Sequence, residues 1–326
     1  MKVLLVDTDS KIPNLALMKL ATYHKQRGDS IEVMKLKYSG YPHNKRPFVI
    51  NANQFDKVSV STIFTANRDK VIVNGNDNVE FGGTGYDLVT SLPSYIDELE
   101  EDYSIYPEHN SSYGFITRGC VRNCWFCFVP EKEGLINYYR DWRRIVKHKK
   151  VYFLDNNFLA YNGHKEILSE LVENKVKCQF NQGLDIRLID DENAKLLSDL
   201  RYLGEYTFAF DDSRYEKLVN RGVRIFKKYV SSDWKLRMFI YVHPEMNIDS
   251  VLYRIEWCKN RKILPYLMRD KSCWLSENHH FYIDLASYCN QPGLFKGMDF
   301  NEYIFKRYPK NKNRALRSLA TYDAYL

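Results

Sequence analysis

Apolar residues fall along this chain in short runs separated by stretches of helical period, the pattern of alternating strands and helices. Residues 2–6, Lys-Val-Leu-Leu-Val, predict a strand. Pro13 suits a first helical turn. Leu15, Leu17, Met18, Leu20 and Ala21 give the segment after it a wide apolar face, and Gly28 closes it. Further strand-like runs lie at 30–35, 57–63 and 70–73, followed by Gly82-Gly83-Thr84-Gly85. These glycines do not stand as Gly-x-Gly-x-x-Gly behind a strand, so they predict turns rather than a dinucleotide site. Residues 92–112 are acidic, contain Pro93 and Pro107, and predict a connector.

Beyond the connector the alternation resumes. Strands are predicted at 113–117, 151–154, 176–180, 206–210, 236–242 and 263–268, with helices at 165–173, 191–200, 214–219 and 250–258. Six alternations mean a parallel sheet with helices outside it, and period alone does not decide between an open sheet and a barrel. The last forty or so residues break the pattern and predict a helical extension. The expected organisation is an α/β chain: a small Rossmann-like open sheet over 1–91, a connector over 92–112, an α/β core over 113–285 and a C-terminal extension over 286–326.

Composition narrows the class. The chain has 326 residues, 44% of them hydrophobic, with few glycines and prolines, which excludes disorder for its bulk. No apolar run approaches the eighteen or so residues of a membrane span. The apolar start meets Asp7 at once, too soon for a signal peptide. A cytoplasmic protein with no membrane partner is expected. A net charge of +7 permits a polyanionic partner without demanding one.

The sharpest chemical signal is Gly119-Cys120-Val121-Arg122-Asn123-Cys124-Trp125-Phe126-Cys127. Seven cysteines is an odd number, and three of them crowd into this loop, which is not the layout of a secreted disulfide scaffold. Three thiolates at Cys-x3-Cys-x2-Cys spacing can ligate three irons of a cubane cluster, leaving the fourth iron open to a small chelating molecule. The strand ends of the core region carry polar clusters: Asp155-Asn156-Asn157, Asn181-Gln182-Gly183 with Asp185 and Arg187, Asp211-Asp212, and His243-Pro244-Glu245. In parallel α/β architectures such ends gather functional residues, although caps and turns also favour Asp and Asn there.

The cysteine segment, with an aromatic directly before its third cysteine and a long α/β region behind it, resembles the signature of the radical S-adenosylmethionine (radical SAM) superfamily. The resemblance implies a partial (β/α)6 barrel with the cluster loop after its first strand. It implies a [4Fe–4S] cluster on Cys120, Cys124 and Cys127. S-adenosylmethionine would chelate the open iron and be cleaved reductively to a 5′-deoxyadenosyl radical acting on an unknown substrate. Phe126 would sit near the adenine and Asp155 and Asn156 near the amino group, although the family's Gly-Gly-Glu form is absent here. Arg187 would pair with the methionine carboxylate, or else with a surface carboxylate, and Asp211 would face ribose or substrate. An external electron donor of flavodoxin or ferredoxin type is implied as partner. His243 could serve in proton transfer, although a lone histidine is more often structural.

The rival from another class is a non-catalytic zinc protein of nucleic-acid-binding type, with His109 or His148 as fourth ligand. Cobalamin-dependent relatives of this family carry Asp-x-His-x-x-Gly ahead of the core. No Asp-x-His occurs here, so the N-terminal domain is expected to be a degenerate version without cobalamin. No cysteine precedes Cys120, which disfavours a methylthiotransferase. Cys178, Cys258, Cys273 and Cys289 are isolated and predict small buried hydrophobes rather than an auxiliary cluster. Basic stretches at 140–150, with six Lys or Arg against Asp141, and 306–317, with six and no acid, can track phosphates. A charge run is more often a solvated face, so nucleic acid is not the favoured partner.

Overall fold

A computed structural model describes residues 1–36 and 46–323. The parts of the N-terminal domain and C-terminal extension at 37–45 and 324–326 lie outside the described residues. The chain divides into two compact units, Met1–Val151 and Tyr152–Leu326.

In the first unit Lys2–Asp7 lies between Ser30–Lys35 and Lys57–Ser61, and Val79–Gly82 adds to the outer side of Lys57–Ser61. All these pairings are parallel. A parallel sheet is covered on both faces, which explains why its central strand is an unbroken apolar run. Val3 and Leu5 pack on one side against Leu17, Leu20 and Ala21 of helix Leu15–Gln26. Leu4 and Val6 pack on the other, with Ile50, Phe55, Val58 and Val60. Asn14 caps the helix by accepting from Leu17 N–H. The glycine cluster does turn the chain, and at close quarters: a Cβ on Gly83 would come within 2.9 Å of Thr62 N. Phe48–Asn51 and Val71–Asn74 form a separate parallel pair.

Residues 92–112 are tied to the rest of the unit by charged side chains, two of them buried cations. The ammonium group of Lys19, buried on the helix, donates to Asp97 Oδ1 at 2.7 Å and to the Tyr139 hydroxyl at 2.7 Å. Buried Arg140 pairs with Glu101 at 2.9 Å and donates to the carbonyls of Asp97 and Leu99. Arg144 and Lys147 both reach Glu100. Two acids of the connector thus engage three of the six cations of the basic stretch at 140–150.

In the second unit Lys177–Phe180 lies between Val151–Phe153 and Arg201–Tyr202. Leu236–Val242 lies between Tyr206–Ala209 and Leu264–Arg269, all parallel. A single parallel bridge, Leu184 to Phe208, joins the third predicted strand's end to the fourth strand. The predicted strands are found to within two residues; 113–117 is split into Ser112–Gly114 and Thr117–Arg118. Helices His164–Glu173, Asp191–Asp199, Glu216–Phe226 and Ile248–Asn260 connect them. The helix predicted at 214–219 starts later and runs further, because Arg214 belongs to a 3-10 turn capped by Asp212.

Four further helices from His279 to Asp323 form the C-terminal region. Their anchor is Asp284, fully buried, which meets Arg314 at 2.8 Å and Arg307 at 3.2 Å and accepts from Tyr308 and Ser318 hydroxyls. Two cations of the second basic stretch therefore serve a buried carboxylate. The result is a mixed α/β chain with parallel sheets and a helical C-terminus. No helix among the described residues is long and apolar enough to cross a membrane.

Candidate functional site

The cysteine loop belongs to the first unit and is shaped by the segment immediately C-terminal to it. Gly119 has φ +82°, and a Cβ there would press on the carbonyls of Leu135 and Gly134, the latter at 2.7 Å. Only glycine fits this close approach. The short helix Val129–Glu133 folds back so that the Gly134 carbonyl accepts from Cys120 N–H at 3.1 Å. Glu133 accepts from Gly119 N–H and pairs with Arg118 at 2.8 Å. Inside the loop, Cys120 Sγ accepts from Arg122 N–H at 3.3 Å, and Cys127 N–H donates to the Cys124 carbonyl at 2.9 Å. Phe126 is half-buried and meets Trp125 edge-on at 5.7 Å, while Trp125 itself is largely exposed.

The seven cysteines fall into two environments. None is in a disulfide; Cys120, Cys124 and Cys127 are half-buried, whereas Cys178, Cys258, Cys273 and Cys289 are buried in the second unit. Burial pushes the Cys178 thiol up to about 12 and the Cys273 thiol up to about 11, and raises Cys258 and Cys289 further. Those four are core residues, as expected of scattered cysteines.

Among the described residues no three His, Cys, Asp or Glu side chains converge tightly enough to enclose a metal ion. His148 Nδ1 lies 3.2 Å from the Ser112 hydroxyl and its ring stands edge-on to Tyr103; His109 stands between Tyr106 and Tyr113. The fourth ligand that a zinc site requires is thus not brought to the loop. A cubane makes a different demand, since each thiolate binds its own iron. The donor set suits it: three thiols outside the core, in one loop, one of them already accepting a backbone N–H.

In the second unit the polar strand ends differ in their surroundings. Asp155 is fully buried directly behind Val151–Phe153, and Asn156 beside it is half-exposed. Arg187 faces Asp185 through Nε at 2.7 Å and Nη2 at 2.9 Å, with its guanidinium 4.8 Å from the Tyr215 ring centre. This carboxylate partner is buried, not a surface group. Asp211 accepts from Tyr241 N–H at 2.7 Å; burial pushes its carboxyl above the usual range, against the pull of Arg254 and Arg187. Asp185, Arg187, Asp211 and Arg254 therefore form one electrostatic cluster. Arg254 was not foreseeable. It is fully buried in helix Ile248–Asn260, donates from Nη1 to the Phe210 carbonyl at 2.9 Å, and leaves Nη2 buried with no hydrogen-bond acceptor. Asp212 acts locally, capping a turn and pairing with Arg214 at 2.6 Å. His243 accepts from Glu245 N–H and stands 3.9 Å from Asp270.

No protein-family model matches this chain, and no curated protein matches it in sequence. Among solved structures it is similar to SuiB of Streptococcus suis bound to S-adenosylmethionine, with TM-score 0.36 and 16% identity over 49% of this chain and 40% of that one. It is also similar to SuiB bound to its precursor peptide SuiA, with TM-score 0.39 and 16% identity over 62% and 47%. The chain spans less than half the length of those proteins.

Overlap of this size leaves function to the chain's own residues. What they offer is a glycine-locked loop of three accessible thiols in one unit and, in the other, a buried acid–arginine cluster at the ends of parallel strands.

Proposed function

We propose that this protein is a cytoplasmic radical SAM enzyme, with a cluster on Cys120, Cys124 and Cys127 and a barrel-type core over 113–285. The observation that carries the reading is the contrast between the three half-buried thiols of one loop and the four buried thiols elsewhere. When bound, a [4Fe–4S] cluster with S-adenosylmethionine supplies one-electron cleavage of the sulfonium, fed by an external donor of flavodoxin or ferredoxin type. The chain's own part is to hold and orient. Gly119 and the Cys120–Gly134 hydrogen bond fix the start of the loop, and the Arg122 N–H stabilises charge on the Cys120 sulfur.

Phe126 would stack near the adenine. Asp155 and Asn156 offer acceptors to an amino group, Arg187 a planar fork to a carboxylate, and Asp211 an acceptor to hydroxyls. For Arg187 to do so it must share or leave Asp185, which makes it a candidate for rearrangement on binding.

Anaerobic reconstitution tests the proposal. The enzyme reading expects iron and sulfide at about four each per chain, together with 5′-deoxyadenosine on reduction with S-adenosylmethionine. About one zinc per chain and no iron would establish the rival. Cys124→Ala should lose cluster and 5′-deoxyadenosine together; iron and turnover retained in that variant would refute the ligand assignment.

A further inference from the structure

We propose that a basic groove on the second unit, remote in sequence from the cysteine loop, binds the phosphate backbone of a nucleic acid. The groove has a volume of about 500 Å³ and is lined by Lys217, Arg221, Arg224, Lys227 and Arg261, with Asn220 between them. The inference does not rest on the proposed enzyme activity, and its test is a binding measurement.

Lys217, Arg221 and Arg224 stand at i, i+4 and i+7 of helix Glu216–Phe226, so they share one face. At ~1.5 Å of rise per residue they extend over roughly 10 Å, about three phosphates of a duplex strand at ~3.4 Å each. Two cations at the helix end would be ordinary complements to its dipole. Lys217 is not, because it occupies the first turn, where a positive charge is disfavoured.

None of the five cations is in an ion pair among the described residues. Glu216, the nearest acid in sequence, accepts instead from the Asn220 amide at 3.1 Å. Backbone and ring contacts hold several of the cations in place without neutralising them. Arg221 donates to the Arg187 carbonyl at 2.9 Å, Lys227 donates to the Arg261 carbonyl at 2.7 Å, and Arg261 lies over the Trp257 ring at 4.5 Å. This sets the groove apart from the basic stretches visible in the sequence. At 140–150 the connector's acids engage Arg140, Arg144 and Lys147, and at 306–317 Asp284 engages Arg307 and Arg314.

A positioned, uncompensated array in a concavity fits a ligand with regularly repeated negative charge. An acidic peptide would want an apolar anchor pocket and an anionic membrane an apolar face to insert. Val223 is the one apolar side chain of the lining.

The test is fluorescence anisotropy of the full chain with labelled twenty-nucleotide single-stranded RNA, single-stranded DNA and duplex DNA. The expected result is binding that weakens about fortyfold for the duplex and about twentyfold for the single strands between 50 and 200 mM salt, as for about three neutralised phosphates. Lys217→Glu with Arg224→Glu should weaken it about tenfold or more, while Lys306→Glu with Lys310→Glu, equally exposed, should change it by less than about twofold. Circular dichroism checks that both variants fold; if the reversal unfolds, Lys217→Gln with Arg224→Gln should still weaken binding about threefold. No binding, equal loss in both pairs, or binding to phosphatidylserine vesicles in place of nucleic acid would overturn the proposal.

Discussion

Asp185 and Arg187, two residues apart on one tight turn, face each other through two parallel hydrogen bonds of 2.7 and 2.9 Å. Asp185 also accepts from Arg187 N–H, so one carboxylate both caps the turn and fixes the guanidinium. Removing the acid strands a largely buried cation. Asp185→Ala should cost about 2–3 kcal/mol by chemical denaturation. Arg187→Lys keeps the charge, loses the fork and should cost about 1 kcal/mol. Equal costs for the two variants would mean that the fork geometry carries the pairing, whereas no cost for Arg187→Lys would mean that the pairing contributes only its charge.

Asp211 predicts a pH effect of definite sign. Its folded carboxyl is raised, chiefly by burial, while Arg254 and Arg187 pull it down and Asp185 pushes it up. A carboxyl that binds its proton more tightly when folded makes the folded state less stable as pH rises from the ordinary Asp value through the raised one. Asp211→Asn removes that loss. Relative to wild type, the variant should therefore be more favoured at pH 7 than at pH 4 in urea titrations at each pH. An advantage that grows toward pH 4 would show that Arg254 dominates the site.

Parallel strands such as Lys2–Asp7 and Leu236–Val242 announce themselves in the sequence because burial on both faces demands uninterrupted apolar runs. The cysteine loop was legible because its chemistry is set by spacing within eight residues. The buried charges were not. Lys19 meets Asp97 across 78 positions and Arg254 meets the Phe210 carbonyl across 44, and no local pattern distinguishes them from surface cations. The same blindness made the stretches at 140–150 and 306–317 look like free basic patches, when several of their cations serve distant acids. The groove at Lys217, Arg221 and Arg224 is hidden for the opposite reason: Arg261 and Lys227 join it only through folding.

Two glycines near the cysteines separate backbone conformation from close packing. Gly119 and Gly134 both have positive φ, +82° and +72°. A Cβ on Gly119 collides with the Leu135 and Gly134 carbonyls, whereas one on Gly134 meets nothing within 4 Å. Gly134 combines φ +72° with ψ −152°, a region other residues scarcely enter, so Gly134→Ala should cost about 1–3 kcal/mol yet leave iron incorporation near the wild-type level. Gly119→Ala also meets a positive φ and must in addition push the loop away from its support. It should lose most of the reconstituted iron while the sheet of Lys2–Asp7 still melts cooperatively. If Gly119→Ala takes up iron as well as Gly134→Ala does, the loop's close approach is not what organises the thiols.

Alkylation distinguishes the two cysteine environments directly. A thiol reacts as its thiolate and only where reagent can reach it. Cys178, Cys258, Cys273 and Cys289 are buried with thiols raised by desolvation, while Cys120, Cys124 and Cys127 are half-buried. Brief iodoacetamide treatment of folded, metal-free protein at pH 7.5 should label the three loop cysteines, read by peptide mass spectrometry. Protein unfolded in guanidinium should label all seven. After anaerobic reconstitution the same treatment should spare Cys120, Cys124 and Cys127 together, because thiolates bound to iron are no longer nucleophiles. Continued protection of both Cys120 and Cys127 in Cys124→Ala would show that the loop can hold iron with fewer than three thiolates and would argue against a cubane.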